Sequence, residues 1–192
     1  MKLGAVILAA GAGTRLGGVA KALLRIGNET YLERIVRTAR LAGTTRFVVV
    51  IGRPYGHEVG LAAREMDLGV IVNPMPERGM ASSVALGFLA IGDYDLDAAW
   101  LWPVDHPEVE LSTLDSLIAN IGTAEVAQPR FEDRGGHPPL IARAVFPRLA
   151  RCAHLDGGAR TVLATSALVP VAVEDDAVIH DIDMPADLAE IH

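Results

Sequence analysis

Leu3-Gly-Ala-Val-Ile-Leu-Ala9 runs directly into Ala10-Gly-Ala-Gly-Thr-Arg15-Leu-Gly-Gly-Val-Ala-Lys21. An unbroken apolar run of this length is the pattern of a strand buried on both faces. The loop that follows is built of small residues and carries one arginine and one lysine. Small residues let backbone approach a ligand closely, and successive loop N–H groups cradle anionic oxygens. Arg15 and Lys21 add full positive charge. Lys21 is distinctive because the only other lysine is Lys2, against fifteen arginines. Its compact ammonium suits a point contact to a phosphate.

Two better-known glycine motifs do not fit this loop. A dinucleotide fingerprint needs G-x-G-x-x-G, whereas Gly11, Gly13 and Gly17 give G-x-G-x-x-x-G. A Walker loop needs lysine and then serine or threonine after its second glycine, and here Val19 and Ala20 follow Gly18. A plain glycine-rich strand–helix connection is the alternative to a phosphate loop.

Working outward, strand and helix patterns alternate. Helical spacing spans Glu29–Ala42, with Gly43 as its stop. Strands are expected at Arg46–Ile51, Gly69–Val72, Ala98–Pro103 and Ala124–Gln128. Helices are expected at Gly56–Met66, Met80–Ile91 and Leu111–Ile121. After Pro129 the pattern loosens, with strands at His137–Ile141 and Leu168–Val173 and helices near Ala142–Arg151 and Ala159–Thr165. Val178–Ile182 reads as a last strand and Pro185–Ile191 as a terminal helix. Such alternation implies a single α/β domain over residues 1–192, with a doubly wound, mostly parallel sheet in three layers.

Ligands of these sheets sit outside the carboxyl ends of the strands. Three chemically loaded segments fall on that edge: the Arg15/Lys21 loop, Asn73-Pro-Met-Pro-Glu-Arg-Gly79-Met-Ala-Ser-Ser83, and Trp102-Pro-Val-Asp105-His-Pro107. Asp105 ends a buried strand between two prolines. Magnesium takes few protein carboxylates and completes its shell with water and substrate phosphates, a need one rigid aspartate opposite a phosphate loop meets. A turn or cap aspartate is the alternative. The second acid falls in His180-Asp-Ile-Asp183-Met-Pro185, where Asp181 and Asp183 alternate along the expected strand and face one side. Asp183 is the preferred metal ligand, and it also suits capping of the helix opened by Pro185.

Other segments carry two readings each. Gly79 opens a helix whose N–H groups suit an anion, while Ser82 and Ser83 either join that contact or satisfy the first helical turn. Asn73 is placed to close over a base or ribose. His106 and His137 are substrate contacts or structural histidines. Arg160, after a glycine pair, is an acceptor-phosphate grip or an exposed arginine.

A net charge of -7 argues against nucleic acid, whose binders usually show basic faces. No apolar run approaches the roughly 18 residues of a membrane span. Met1 and Lys2 lead into the first strand without a signal-peptide layout, and the expectation is a soluble cytoplasmic protein. Cys152 is the only cysteine, so an internal disulfide and a thiolate zinc site are excluded, and a buried thiol is expected.

In order along the chain, the Leu8-Ala-Ala-Gly11 loop with Arg15 and Lys21, N-P-x-x-x-x-G-M-x-x-S, a proline-bracketed D-x-P, G-G-H-P, D-G-G-A-R and D-I-D-x-P-x-D-L resemble the MobA-like nucleotidyltransferases. The closest likeness is to the molybdenum cofactor cytidylyltransferase branch, from residue 3 to 188. There are departures: the family usually shows D-Q-P where Asp105-His106-Pro107 stands, and G-D-x-G-A-R where Leu155–Arg160 stands. Arg25 replaces its proline after the Leu-Leu pair.

The resemblance implies a reaction and a set of roles. CTP, or another NTP, would lie over the backbone of Leu8, Ala9, Ala10, Gly11 and Gly13. Its phosphates would meet Arg15 and Lys21, with Asn73, Gly79 and Ser82 completing the nucleotide site. Ser83, His106, His137 and Arg160 would face the acceptor. The terminal phosphate of molybdopterin would attack the α-phosphorus in line, and Mg2+ would sit on Asp105 and Asp183. The catalytic set is Arg15, Lys21 and Asp105. The Ala9-Ala10 pair matches the cytidylyl branch, where two methyl groups would narrow the pocket toward a pyrimidine. The alternatives are GTP or another phosphorylated acceptor, such as a sugar phosphate or phospholactate. A non-catalytic accessory protein that delivers cofactor to a molybdoenzyme or its chaperone is the third reading.

Overall fold

The structure is a computed structural model that describes residues 1–11 and 19–181. Its strands are β1 Leu3–Ala9, β2 Arg25–Ile26, β3 Glu29–Thr30, β4 Thr44–Ile51, β5 Gly69–Val72, β6 Ala98–Pro103, β7 Val126–Phe131, β8 Arg134–Gly135, β9 Leu140–Ala142 and β10 Leu168–Ala172. Its α-helices are α1 Tyr31–Leu41, α2 Gly56–Glu65, α3 Met80–Ile91, α4 Leu111–Asn120, α5 Phe146–Leu149 and α6 Ala159–Ala164. Apart from the small β2–β3 hairpin, the strands form one sheet in the order β10-β7-β9-β6-β1-β4-β5, with β8 paired to β7.

The alternation of β1 explains the three layers. Leu3, Ala5, Ile7 and Ala9 face one apolar cluster with Tyr31, Leu32 and Ile35 of α1 and Leu114 and Leu117 of α4. Val6 and Leu8 face the opposite cluster with Val84, Phe88 and Ile91 of α3 and Phe146 and Leu149 of α5. Both faces are covered, so the strand has no place for a polar side chain. Helix α3 lies close enough to β1 that a Cβ on Gly87 would collide with the buried Val6 side chain. Gly87→Ala should therefore destabilise the protein by about 1–2 kcal/mol, although alanine gains about 1 kcal/mol of helix propensity at an open position. Urea unfolding reads this directly, and a raised midpoint would mean that Val6 can yield.

β1 pairs in parallel with β4 and β6, and β4 with β5. The order β5-β4-β1-β6 means that the chain winds outward from β1 in one direction, then returns to its other side. The winding reverses between β1 and β6, which is where α/β sheets place their ligands.

The mostly parallel sheet is as expected, and the differences lie in particular elements. The segment 140–142 is a strand, but it runs antiparallel to both β6 and β7, so the sheet is mixed at this side. The expected strand Val178–Ile182 is not formed over residues 178–181. Asp175 instead accepts hydrogen bonds from Glu110 N (2.9 Å), Thr113 Oγ1 (2.8 Å) and Ala177 N (3.2 Å). These pin the chain to the start of α4 and draw Asp176–Val178 into a 3₁₀ turn. The argument that Asp181 and Asp183 share one face of a strand loses its basis. The expected helix Pro185–Ile191 lies outside the described residues. Helix α1 starts at Tyr31, two residues later than expected, because Thr30 and Glu33 form a capping box while Glu29 and Thr30 pair in the hairpin.

Candidate active site

Parallel pairing brings the carboxyl ends of β1, β4, β5 and β6 to one edge. Val104 N donates to Leu8 O (3.1 Å), which prolongs the β6–β1 contact past the strand end. The indole Nε1 of Trp102 donates to the carbonyl of His106 (2.9 Å) and closes the loop between them. A strand residue thus reaches forward to fix Asp105. Lys21, at the start of a 3₁₀ turn, comes back from the first loop to place its Nζ 3.7 Å from Asp105 Oδ2. The cation and the carboxylate singled out in the sequence meet at the β1–β6 switch point. Arg15, Gly13 and Asp183 lie outside the described residues.

Asp105 is held in a costly state. Among the described residues its Oδ1 is buried without a hydrogen-bond partner. Burial pushes its carboxyl pKa up, against the opposing pull of His106 and Lys21. A buried carboxylate with an unused oxygen has the chemistry of a hard-cation ligand, since such a cation would satisfy both the charge and the lone pairs. Among the described residues no three histidine, cysteine or acidic side chains form a ready metal cluster.

His106 was expected at the acceptor, but it is only 3% exposed, and both ring nitrogens are occupied. Nδ1 lies 3.1 Å from Ala177 O and Nε2 lies 2.9 Å from Asp181 Oδ1. A carbonyl and a carboxylate both accept, so the two contacts are satisfied together only when both nitrogens carry hydrogen, which favours the imidazolium. Burial works against that charge, but Asp181, Asp105 and the Ala177 carbonyl outweigh it and the pKa rises. The bond from His106 in turn lowers the pKa of Asp181. No donor of His106 is left for a substrate.

The antiparallel course of β9 sends its preceding loop back to the same edge. The His137 ring therefore lies 5.2 Å, centre to centre, from that of His106. His137 N donates to Val178 O (2.8 Å), and a Cβ on Gly136 would collide with that carbonyl. The glycine of the G-G-H-P segment is thus required by the approach of the 177–181 segment. Burial, helped by the charge on His106, lowers the pKa of His137 from 6.5 to about 4. An NMR pH titration should find His137 neutral until about pH 4. Across the window from 6.5 down to 4 the unfolded chain takes up a proton that folded His137 refuses, so this residue's contribution to stability falls as pH falls. A His137 midpoint near 6.5 would contradict its burial.

The 73–83 segment also differs from expectation. Asn73 is buried, and its Nδ2 donates to Ser82 Oγ (2.8 Å) and Ser83 Oγ (2.9 Å) while its Oδ1 accepts from Met75 N (3.0 Å). Ser82 Oγ donates to Gly79 O (2.7 Å), and Ser83 is buried. The Asn73 and Ser83 side chains are thus turned inward on one another, and they shape the loop rather than extend from it. Gly79, with φ of 88°, stands exposed at the start of α3. Ala9 and Ala10 are buried, and a Cβ on Gly52 would lie 3.1 Å from both Ala10 Cβ and Pro76 Cβ. Ala10 packs against Gly52 beside Pro76 while Ala9 joins the core, so the effect of the pair on pocket width is indirect. Gly158 presses on Ala81, which brings the loop before Arg160 to the start of α3, and Arg160 itself is exposed. Cys152 is buried as expected, and burial raises its thiol to about 11.

A parallel α/β core whose switch point pairs a loop lysine with a strand-end aspartate defines the class as the α/β nucleotidyltransferases. The chain belongs to the MobA-like NTP transferase domain family, whose pattern matches residues 5–171. It is 30% identical over 165 residues to a nicotine blue oxidoreductase of Paenarthrobacter nicotinovorans, covering 82% of this chain and 79% of that one. It is 37% identical over 84 residues to a bifunctional IPC transferase and DIPP synthase of Thermococcus kodakarensis, 43% of this chain but only 19% of the length of that protein. The crystal structure of Rv0371c from Mycobacterium tuberculosis is 30% identical, with a TM-score of 0.81 over 100% of this chain and 97% of that one. The same protein has been solved as a manganese complex, at 27% identity and a TM-score of 0.79, over 100% and 98% of the two chains. No helix among the described residues is long and apolar enough to cross a membrane.

Proposed function

We propose that this chain transfers CMP from CTP to the terminal phosphate of molybdopterin and releases pyrophosphate. The observation that carries the reading is the meeting of Lys21 with the buried, under-bonded Asp105 at the switch point. An acceptor phosphate oxygen forms the new bond to the α-phosphorus, the bond to the bridging oxygen breaks, and that oxygen leaves with its electron pair on pyrophosphate. The nucleophile is already ionised, so no side-chain base is required. Positioning and charge compensation supply the catalysis. Lys21, with Arg15, offsets charge gathering on the leaving group. In this reading Arg160 grips the acceptor phosphate, and Gly79 helps to complete the nucleotide site. Asp105 and Asp183 hold a divalent cation, Mg2+ or Mn2+, which when bound supplies Lewis-acid charge and a template for the phosphates. The manganese complex of a relative supports the divalent requirement. Cytidine as the base rests on the likeness of the Ala9-Ala10 loop to the cytidylyl branch. Molybdopterin rests on the G-G-H-P and G-A-R elements.

The test is pyrophosphate release from each of the four NTPs, with molybdopterin, a sugar phosphate or phospholactate as acceptor. CTP with molybdopterin should give the fastest release, and CTP with Mg2+ should raise the melting temperature more than GTP does. Equal shifts for GTP and CTP would remove the cytidine assignment. Release only with another acceptor would keep the transfer and replace the substrate. Oxidation or reduction of nicotine blue without pyrophosphate release would favour the chemistry in the name of the Paenarthrobacter relative.

A further inference from the structure

We infer that His106 is a positioning residue that fastens the segment ending at Asp181 to the Asp105 loop. The inference rests on the proposed reading of Asp105 and Asp183 as the cation-holding pair. Residues 177–181 take no part in the sheet, so other contacts must set where they lie. His106 supplies two of these contacts from one buried ring, to Ala177 O at 3.1 Å and to Asp181 Oδ1 at 2.9 Å. The two partners are four residues apart, so the ring spans the segment. The same ring stands 3.9 Å from Asp105 Oδ1, and its carbonyl is held by Trp102. Asp105 and the segment ending at Asp181 are therefore referenced to one rigid group. The loop ahead of β9 clasps the same segment from another side, through His137 N on Val178 O. Asp175 anchors its beginning. The His106 side chain ties this segment to the Asp105 loop, and the Ala177 and Asp181 bonds cannot both be made by a residue with a single donor group.

Mn2+ binding to the full chain, followed by the EPR signal of free Mn2+, tests the inference apart from turnover. His106→Leu should weaken Mn2+ binding by about 10–100-fold, the usual cost of losing a group that orients a ligand. His106→Gln, which keeps one donor, should recover part of the loss. Asp181→Asn changes a half-exposed side chain and should fold normally, while weakening Mn2+ binding by its own amount. The double variant His106→Leu/Asp181→Asn should bind no more weakly than the worse single one, because both act through one contact. Hydrogen exchange over residues 176–181 should quicken in His106→Leu. Unchanged affinity in that variant, or losses that multiply in the double, would overturn the positioning role. Tighter binding would also overturn it, because His106 would then act only through its charge. If the unaltered chain binds no Mn2+, the cation-pair reading fails and takes this inference with it.

Discussion

Lys21→Ala should cut turnover by a hundredfold or more while moving the melting temperature by no more than about 4 °C. The kinetic side follows from the loss of one preorganised charge at a phosphoryl centre. Removing a single such group costs roughly 2.7–4 kcal/mol of transition-state stabilisation in the systems where it has been measured. The structural side follows from geometry. The Lys21–Asp105 pair is separated by 3.7 Å and both side chains keep some exposure, so it ranks with weak ion pairs. Such pairs contribute about 0–1 kcal/mol, or at most a few degrees in a chain of this size. Lys21→Arg keeps the charge but spreads it over a planar fork, and should recover only part of the rate. Steady-state pyrophosphate release with a parallel melting curve measures both sides. Near-normal turnover in Lys21→Ala would remove the lysine from the chemistry, and a large drop in melting temperature would make it structural.

The parallel half of the fold was legible because its central strands β1 and β6 are buried along their whole length. β5, β6 and α3 have the predicted bounds, since apolar runs and helical spacing leave little choice there. The same edge rule that placed three loaded loops together brings Lys21 to Asp105. The antiparallel β9 was not legible as such: three residues after Gly-Gly-His-Pro-Pro carry no sign of direction, and pairing with β6 and β7 is a tertiary outcome. Val178, Ile179 and Ile182 suit a strand, yet Asp175 bonds to α4 and His137 takes the Val178 carbonyl. Nothing local distinguishes Asp175 from Asp176 beside it. The capping box of Thr30 and Glu33 was present in the sequence and would have placed the start of α1. His106 illustrates the limit for the site. Its position beside Asp105 suggested a substrate contact, but its burial depends on residues 71 and 75 positions further along the chain.

Asp105→Asn separates the two roles that the sequence left open for this residue. A turn or cap aspartate stabilises the fold through hydrogen bonds, so its amide variant should melt lower. The structure opposes that reading, because Oδ1 is buried with no hydrogen-bond partner among the described residues and burial raises the carboxyl pKa. A group in that condition costs stability when ionised. The nearly isosteric, uncharged amide should therefore leave the melting temperature unchanged or raise it by a few degrees in the absence of metal. Activity should move the other way. An amide is a poor ligand for a hard divalent cation, and the charge stabilisation supplied through it amounts to several kcal/mol. Turnover should accordingly fall by a hundredfold or more, with Mn2+ binding weakened in step. Stability bought back at the expense of activity is the signature of a carboxylate held for chemistry. A variant that melts lower and keeps its turnover would assign Asp105 to the turn and leave the site without its central acid.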